Sequence, residues 1–233
     1  MKQMNQAIMD RIKGGLIVSC QALKEEPLHS SYIMSRMAYA AMKGGAVGIR
    51  ANTVEDITAI KKTVDLPIIG IIKEVYGDCS VYITPTVKEV DALVACGVSI
   101  IATDATDSAK RPRPDGRTLD EFFCEVRKKY PEQLFMAYCS SYEEGMHAAE
   151  LGFDFVGTTM NGYTDYTAGV ELPNIELMGR LAKECGRPVI AEGGIWMPDQ
   201  LKEALNRGVW AVVIGSAITR PREITQRFVS AIK

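Results

Sequence analysis

The feature that most constrains the fold is an alternation of short apolar runs, rich in β-branched residues, with longer amphipathic segments. Eight such runs occur in the chain, and several, such as LPIIGIIK at 66–73, are apolar nearly throughout. Continuous apolar runs are typical of parallel strands that are covered on both faces. The predicted strands are Leu16–Cys20, Ala46–Arg50, Pro67–Ile72, Ser99–Thr103, Leu134–Tyr138, Phe153–Gly157, Val189–Glu192 and Ala211–Gly215.

A segment with helical spacing of apolar residues follows each predicted strand, and Thr53 is the predicted N-cap of one of them. A helix after every strand gives parallel crossovers, and eight such units without a long linker favour closure. We therefore predict an α/β fold, a (β/α)₈ TIM barrel that forms a single domain over residues 1–233, with an open doubly wound sheet as the alternative. The predicted helices are Tyr32–Lys43, Val54–Val64, Val87–Cys96, Leu119–Lys129, Tyr142–Leu151, Ile175–Cys185, Pro198–Arg207 and Pro221–Ile232.

Charge and cysteine usage exclude several classes of function. The formal net charge is −2, so the whole chain has no electrostatic reason to bind nucleic acid or an acidic membrane. The six cysteines include no C-x-x-C pair and only two histidines occur, which argues against a metal site. The N-terminal segment lacks the apolar core of a signal peptide, and no apolar run is long enough to span a membrane. We therefore expect a cytoplasmic protein.

Charged side chains follow several apolar strands on the rim where a barrel places its chemistry. The longest predicted loops, 74–85, 105–117 and 158–174, all follow strands and therefore share the C-terminal rim. Arg50, Lys73, Asp104 and Glu192 stand at strand ends on this rim. Structural salt bridges across the barrel mouth are one interpretation. The convergence of four balanced charges favours the other, a ligand site.

Two glycine motifs near the end of the chain indicate a phosphate site. The seventh strand leads into Gly193-Gly194, and the eighth leads into Gly215-Ser216, with Arg220 close by. Glycines let backbone amides approach an anion, the turn after the eighth strand can begin a short helix, and an arginine supplies a charged contact. Barrels often bind phosphate in these two loops. Tight turns that need glycine for positive φ are the structural alternative.

Other polar residues give weaker signals. His29 and His147 are expected to be surface or structural residues. Cys20 lies at the rim, but no histidine is evidently paired with it, so nucleophilic catalysis is not expected. The basic segment 111–114 is interpreted mainly as a stiff loop, because arginine and proline alternate in it.

Distinctive sequence motifs occur along nearly the whole chain. In chain order they are LIVSCQALK with EPLHS after it, GAVGIRAN, LPIIGIIK, YITPT, DAT with RPRPDG, AAELGFDFVGTT, PVIAEG and AVVIGSAITRP. Together these motifs resemble those of the bacterial N-acetylmannosamine-6-phosphate 2-epimerases of sialic acid catabolism. The resemblance implies a barrel that converts N-acetylmannosamine 6-phosphate to N-acetylglucosamine 6-phosphate without a metal or organic cofactor. The ligand it implies is a sugar phosphate. A homodimer is a possible assembly, because barrels of this kind often dimerise.

The resemblance also implies roles for individual residues. Lys73 matches the family's catalytic lysine and Glu192 its catalytic glutamate, while Gln21 and Arg50 match positions that contact the substrate. Asp104 and Tyr138 are further substrate-binding candidates on the same rim. The phosphate side of the family corresponds to Gly193, Gly194, Gly215, Ser216 and Arg220.

The reaction is consistent with these residue types. In an open-chain sugar C2 is adjacent to the C1 aldehyde, so a side-chain base can remove its proton, and return of a proton to the other face inverts C2. A lysine can serve as this base only when its pKa is lowered. Arg50 acts on Lys73 in that direction and Glu192 acts in the other, and the sequence does not fix the balance.

The chain departs from the family pattern at two places. The family usually reads M-A-D-[IV]-S at the end of the fifth strand, whereas this chain has Tyr138 in place of the aspartate. The residues after A-E-G are Gly194-Ile195-Trp196-Met197, without the basic residue that is frequent there. Two alternatives therefore stay open: another phosphosugar isomerase or an aldolase with a Schiff base on Lys73, and a barrel that binds a sugar phosphate without turning it over.

Overall fold

Eight parallel strands close into a barrel in which every strand pairs with its neighbours in sequence and β8 pairs with β1. The computed structural model describes residues 2–232. The predicted (β/α)₈ barrel is confirmed, and the open doubly wound sheet is wrong. The strands are β1 (Leu16–Cys20), β2 (Gly48–Asn52), β3 (Ile68–Ile71), β4 (Ile100–Asp104), β5 (Leu134–Tyr138), β6 (Phe155–Gly157), β7 (Val189–Ala191) and β8 (Ala211–Ile214).

Helices surround the barrel, and an N-terminal helix precedes β1. The helices are α1 (Lys2–Ile12), α2 (Ser31–Lys43), α3 (Val54–Lys61), α4 (Val87–Ala95), α5 (Leu119–Lys129), α6 (Tyr142–Leu151), α7 (Ile175–Glu184), α8 (Pro198–Asn206), α9 (Ser216–Thr219) and α10 (Pro221–Ser230). Thr53 caps α3 as predicted, because its hydroxyl accepts a hydrogen bond from the Asp56 amide at 3.2 Å. Within residues 2–232 we find no helix that is long and apolar enough to cross a membrane.

The strands separate two apolar cores because successive side chains point to opposite faces. Inside the barrel, side chains such as Ile69, Met136 and Phe155 fill the space between the strands. Outside it, a larger core between strands and helices includes Phe122 and Leu181. Both faces of each strand are therefore buried, which explains the continuous apolar runs of the sequence.

Helix α1 covers the N-terminal end of the barrel. Ile12 is buried with the interior cluster, and Ile8 and Met9 pack against the same cluster. The indole nitrogen of Trp210, the residue before β8, donates to the Met9 carbonyl at 3.0 Å. Because this end is covered by α1, the opposite, C-terminal end is the one open to a ligand.

The second strand begins and ends two residues later than predicted, at Gly48–Asn52 rather than 46–50. Residues 46–47 lead out of the turn after α2, and pairing with β1 begins only at Gly48. Arg50 therefore lies in the middle of β2, opposite Ser19, and not at the strand end. Its side chain must cross part of the barrel interior to reach the mouth, which buries it.

Candidate active site

A cavity of about 240 Å³ opens at the C-terminal mouth of the barrel. Charged side chains enter it from β2, from the residues after β3 and β7, and from the segment before α10. The charged residues of its lining are Arg50, Lys73, Glu192 and Arg220. The structure thus brings together three of the four charged strand-end residues of the sequence prediction, together with the arginine assigned to phosphate.

Arg50 is held by three protein acceptors and forms the centre of the site. Its Nε donates to Ser19 Oγ at 3.0 Å, and its Nη1 donates to the Tyr138 hydroxyl at 3.2 Å. Its Nη2 forms a close ion pair with Glu192 Oε1, and both side chains are about one-tenth exposed. A guanidinium with this many partners orients other groups rigidly, so Arg50 fixes the carboxylate of Glu192.

Glu192 follows β7 and is fixed at both its backbone and its carboxylate. Its amide donates to Thr158 Oγ1 at 3.0 Å, and the Thr158 hydroxyl donates to the Glu192 carbonyl at 2.8 Å. The Thr159 hydroxyl donates to Oε2 at 2.9 Å. Burial raises the pKa of Glu192, while Arg50 and Thr159 act in the opposite direction. Its free lone pairs face a cavity, where they can accept a hydrogen bond from a ligand.

Lys73 stands on a loop that folds back along the end of β3. It forms an antiparallel bridge with Ile83, and its amide donates to Asn52 Oδ1 at 2.9 Å. Within residues 2–232 its ammonium has no ion pair inside 4 Å. Burial, then the charges of Arg50 and Arg220, lower the pKa of Lys73 to about 8, against the opposing effect of Glu192. A lysine in this state is neutral in part near neutral pH and can act as a base.

Gln21 and Tyr138 complete the polar part of the mouth. Gln21 lines the cavity, and its Nε2 donates to Ser19 Oγ at 3.0 Å. Its Oε1 is buried and, among the described residues, has no hydrogen-bond partner, so it is an acceptor available to a ligand. Tyr138 is fully buried beneath the cavity, and burial raises the pKa of its phenol. It contacts Arg50 and is outside the lining of the cavity.

Glycines and one arginine form one end of the same cavity. Gly193 and Gly194 have φ values of 112° and 70°, in the region that favours glycine. A Cβ on Gly194 would lie 2.5 Å from that of Leu172, so the close packing of the chain also requires glycine here. In residues 2–232, the amides of Gly193 and Gly194 donate to no backbone carbonyl. Gly215, Ser216 and Arg220 line this end as well.

Asp104 lies outside the lining of the cavity, so the prediction that it binds the substrate is corrected. Its Oδ1 accepts hydrogen bonds from the amide and hydroxyl of Thr106 at 3.0 and 2.6 Å. Its Oδ2 forms an ion pair of 2.8 Å with the buried Arg111. Arg113 is buried as well and donates to the Pro85 carbonyl at 2.8 Å. Asp104 and both arginines therefore brace the β4–α5 loop, in agreement with the prediction of a stiff loop.

The remaining sequence candidates do not line the cavity. Cys20 points to the core between barrel and helices, and burial raises the pKa of its thiol to about 12. His29 contacts the Ala22 carbonyl at 3.1 Å, and His147 pairs with Asp120 at 2.8 Å. The contacts of His29 and His147 agree with the surface or structural roles expected for them, and the burial of Cys20 agrees with the expectation that its thiol is not a nucleophile.

Sequence reasoning missed three residues that shape the site. Thr159 donates a hydrogen bond to Glu192, and the only sequence signal for it was its place two residues after Gly157, where β6 ends. Tyr82 enters the cavity because the loop after β3 folds back, with the Glu74 amide donating to the Tyr82 carbonyl at 2.9 Å. Glu26 forms an ion pair with Arg220 across 194 residues of sequence (220 − 26), which no local pattern could show.

Comparison with known proteins gives one consistent family. Residues 34–233 match the family model described as "Putative N-acetylmannosamine-6-phosphate epimerase". A protein of Caldanaerobacter subterraneus subsp. tengcongensis, named as a 2-epimerase of that family, is 53% identical over 99% of this chain and 96% of its own. A protein of Listeria innocua with the same name is 51% identical over 99% of each chain.

Solved structures agree with this family. The chain is similar to the N-acetylmannosamine-6-phosphate 2-epimerase from Clostridium perfringens, with a TM-score of 0.90, 50% identity and coverage of 96% of both chains. A thiamine phosphate pyrophosphorylase from Pyrococcus furiosus matches at a TM-score of 0.61 and 16% identity, a likeness of fold alone.

Proposed function

The chain belongs to the N-acetylmannosamine-6-phosphate epimerase family, and from this membership we propose that it interconverts N-acetylmannosamine 6-phosphate and N-acetylglucosamine 6-phosphate. The observation that carries the proposal is the pairing, in one cavity, of a lysine of lowered pKa with a carboxylate that is rigidly held. We place the reaction in the cytoplasm, within sialic acid catabolism, as the sequence analysis led us to expect.

The first chemical step is transfer of the C2 proton to Lys73. The sugar reacts in its open-chain form, in which the C1 aldehyde makes the C2 proton acidic. The neutral amine of Lys73 takes this proton, and the electron pair of the C2–H bond forms the C1–C2 double bond of an enolate. The lowered pKa of Lys73 makes this step feasible near neutral pH. A sugar hydroxyl held by Glu192 then delivers a proton to the opposite face of C2, which gives the epimer, and the proton on Lys73 passes through solvent to restore that hydroxyl.

Glu192 orients the substrate during this step. Arg50 holds one carboxylate oxygen and Thr159 donates to the other, so the group cannot rotate freely. Each oxygen still has a lone pair for a hydroxyl of the sugar. We propose that this contact keeps C2 facing Lys73 and assists proton return through the hydroxyl. Gln21 Oε1, buried without a partner among the described residues, accepts a further donor of the substrate.

The phosphate group lies at the glycine end of the cavity. The amides of Gly193 and Gly194, with Ser216, supply hydrogen-bond donors, and Arg220 supplies the positive charge. A phosphate anchored there positions the sugar at a fixed distance from Lys73. Binding at a group that does not react thereby contributes to orientation at the reacting carbon.

The test is incubation of the protein with N-acetylmannosamine 6-phosphate in D₂O, followed by NMR at C2. We expect the gluco product to form with deuterium at C2. Lys73→Ala is expected to lose turnover almost entirely, and Glu192→Gln to lose about 10²–10⁴-fold, the usual contribution of a positioned proton-transfer group. Lys202→Ala, a change of an exposed lysine on α8, is the matched control and should retain full activity.

Two other outcomes would indicate a different function. Trapping of a covalent adduct on Lys73 by borohydride in the presence of substrate would indicate an aldolase, because an epimerase forms no Schiff base. Tight binding of the sugar phosphate without deuterium exchange or product would indicate a binding protein. Near-normal turnover by Lys73→Ala would refute the assigned role of that residue.

A further inference from the structure

Arg220 lies between two cavities. On one side it lines the barrel mouth with Lys73 and Glu192. On the other it lines a smaller cavity of about 100 Å³, formed by the β1–α2 loop and the beginning of α10. Its side chain is 27% exposed, and it is therefore neither locked in the core nor free in solvent. A guanidinium in this position can direct its donors to either side.

Glu26 lines the smaller cavity and forms an ion pair with Arg220. Its Oε1 lies 3.2 Å from Arg220 Nη1 and 3.9 Å from Arg222 Nη2. Its Oε2 accepts a hydrogen bond from the Leu23 amide at 2.6 Å. The Glu26 side chain is 10% exposed. Because a backbone amide anchors one oxygen, the carboxylate is fixed by its own loop and does not depend on Arg220 for its place.

We propose that Glu26 is an internal competitor for the phosphate-binding arginine, so that Arg220 pairs with Glu26 in the free protein and with the phosphate of the substrate in the complex. The inference rests on the proposed function only in taking Arg220 as a phosphate ligand. A phosphate dianion carries twice the charge of a carboxylate, so it attracts the guanidinium more strongly from an equal distance. Neutral sugars and weak anions do not draw Arg220 away from Glu26. The competition therefore sets a charge threshold for entry to the site.

The electrostatics of Lys73 are consistent with this arrangement. Arg220 is one of the charges that lower the pKa of Lys73, and Glu26 acts in the opposite direction. Glu26 thus influences the reacting end of the cavity without lining it, and we classify it as a positioning residue. It also lies on the loop that carries Gln21, so the competition links that loop to the phosphate end.

Affinity for inorganic phosphate, measured by calorimetry on the full chain, tests the inference without turnover. Glu26→Gln retains the shape of the side chain and an acceptor oxygen but removes the charge. We expect it to bind phosphate about fivefold more tightly than the wild type, the factor given by an ion pair of about 1 kcal/mol. Glu25→Gln changes the exposed neighbouring carboxylate and is the matched control, with unchanged affinity expected. In an Arg220→Gln background, Glu26→Gln should have no effect.

Other outcomes overturn the inference. A purely structural Glu26 would give equal or weaker phosphate binding in Glu26→Gln, and a gain that persists in the Arg220→Gln background would mean that Arg220 is not the shared partner. If Glu26→Gln does not fold, Glu26→Asp withdraws the carboxylate by one methylene, and failure of this variant to bind phosphate more tightly also overturns the inference. In turnover at pH 9, where Lys73 is already mostly neutral, Glu26→Gln should lower KM without raising kcat. Failure of the proposed function would give a different result: the wild-type protein would bind phosphate but would not exchange the C2 proton of the sugar for deuterium.

Discussion

The lowered pKa of Lys73 makes a quantitative prediction for the pH dependence of the reaction. Burial and the charges of Arg50 and Arg220 bring this pKa to about 8 from its ordinary value of 10.5. At pH 7 the neutral fraction of such a lysine is about 9%, compared with about 0.03% for an unperturbed one. The environment thus increases the concentration of the base about 300-fold at pH 7, and kcat/KM should follow the neutral fraction.

The direction of the pH dependence, and the pH range over which the rate changes, follow from the same pKa values. Only neutral Lys73 accepts a proton, so kcat/KM should rise with pH through about 8 and then level off. Between pH 7 and pH 9 the neutral fraction increases from about 9% to about 91%, which is a tenfold gain. A lysine with the ordinary pKa would instead gain about 100-fold over the same interval and would still be rising at pH 9.

The assay is the initial rate of C2 deuterium exchange at low substrate concentration, from pH 7 to pH 10. The lower limit lies above the second pKa of a phosphomonoester, about 6, so the charge of the substrate stays nearly constant. Thermal denaturation at each pH verifies that the protein is folded throughout. A gain of 100-fold without a plateau would refute the lowered pKa. A rate that falls through pH 8 would mean that Lys73 acts in its protonated form.

Three further predictions concern residues that support the site. Tyr138→Phe removes the hydroxyl that accepts a hydrogen bond from Arg50 Nη1 and leaves that buried donor unpaired, so we expect the free energy of unfolding to fall by about 1.5–3 kcal/mol. We also expect kcat to fall about tenfold, because Arg50 then holds Glu192 less rigidly. An unchanged kcat would contradict this role of Tyr138. Gly194→Ala should raise KM and destabilise the protein more than Gly14→Ala, because both glycines have φ near 70° but only Gly194 packs against Leu172. Equal effects in melting and kinetics would refute that reasoning. Arg113→Met leaves buried acceptors unpaired, so chemical denaturation should show a loss of about 2–4 kcal/mol in the free energy of unfolding; a loss below about 0.5 kcal/mol would contradict it.

The barrel and the ends of its strands were predictable because they depend on local patterns. Apolar runs of the right length, each followed by a helical segment, determine a parallel closed sheet, and the polar residue after each run must lie at one rim. Lys73 and Glu192 reached the cavity for this reason. Arg50 reached it although its strand is displaced by two residues, because its side chain is long and Ser19, Tyr138 and Glu192 accept its hydrogen bonds.

The positions and partners of side chains in the loops were not predictable from local patterns. Asp104 has the same sequence context as the other strand-end charges, yet it binds Arg111 seven residues later and turns away from the cavity. Tyr82 enters the site only because residues 72–84 fold back on β3. Such arrangements depend on which of several partners of similar strength each side chain binds, and the local sequence does not rank these partners.

The pairing of charges in the mouth explains why the amine of Lys73 can serve as the base. Each arginine of the cavity has its own carboxylate, Glu192 for Arg50 and Glu26 for Arg220. Lys73, with no ion pair within 4 Å in the part of the chain that the structure describes, is left with two positive neighbours and no close negative one. Had Glu192 paired with Lys73 instead, the attraction would have raised its pKa and kept the amine protonated. Arg50 therefore has a second role besides orienting Glu192: by engaging this carboxylate it keeps the amine of Lys73 available to accept a proton.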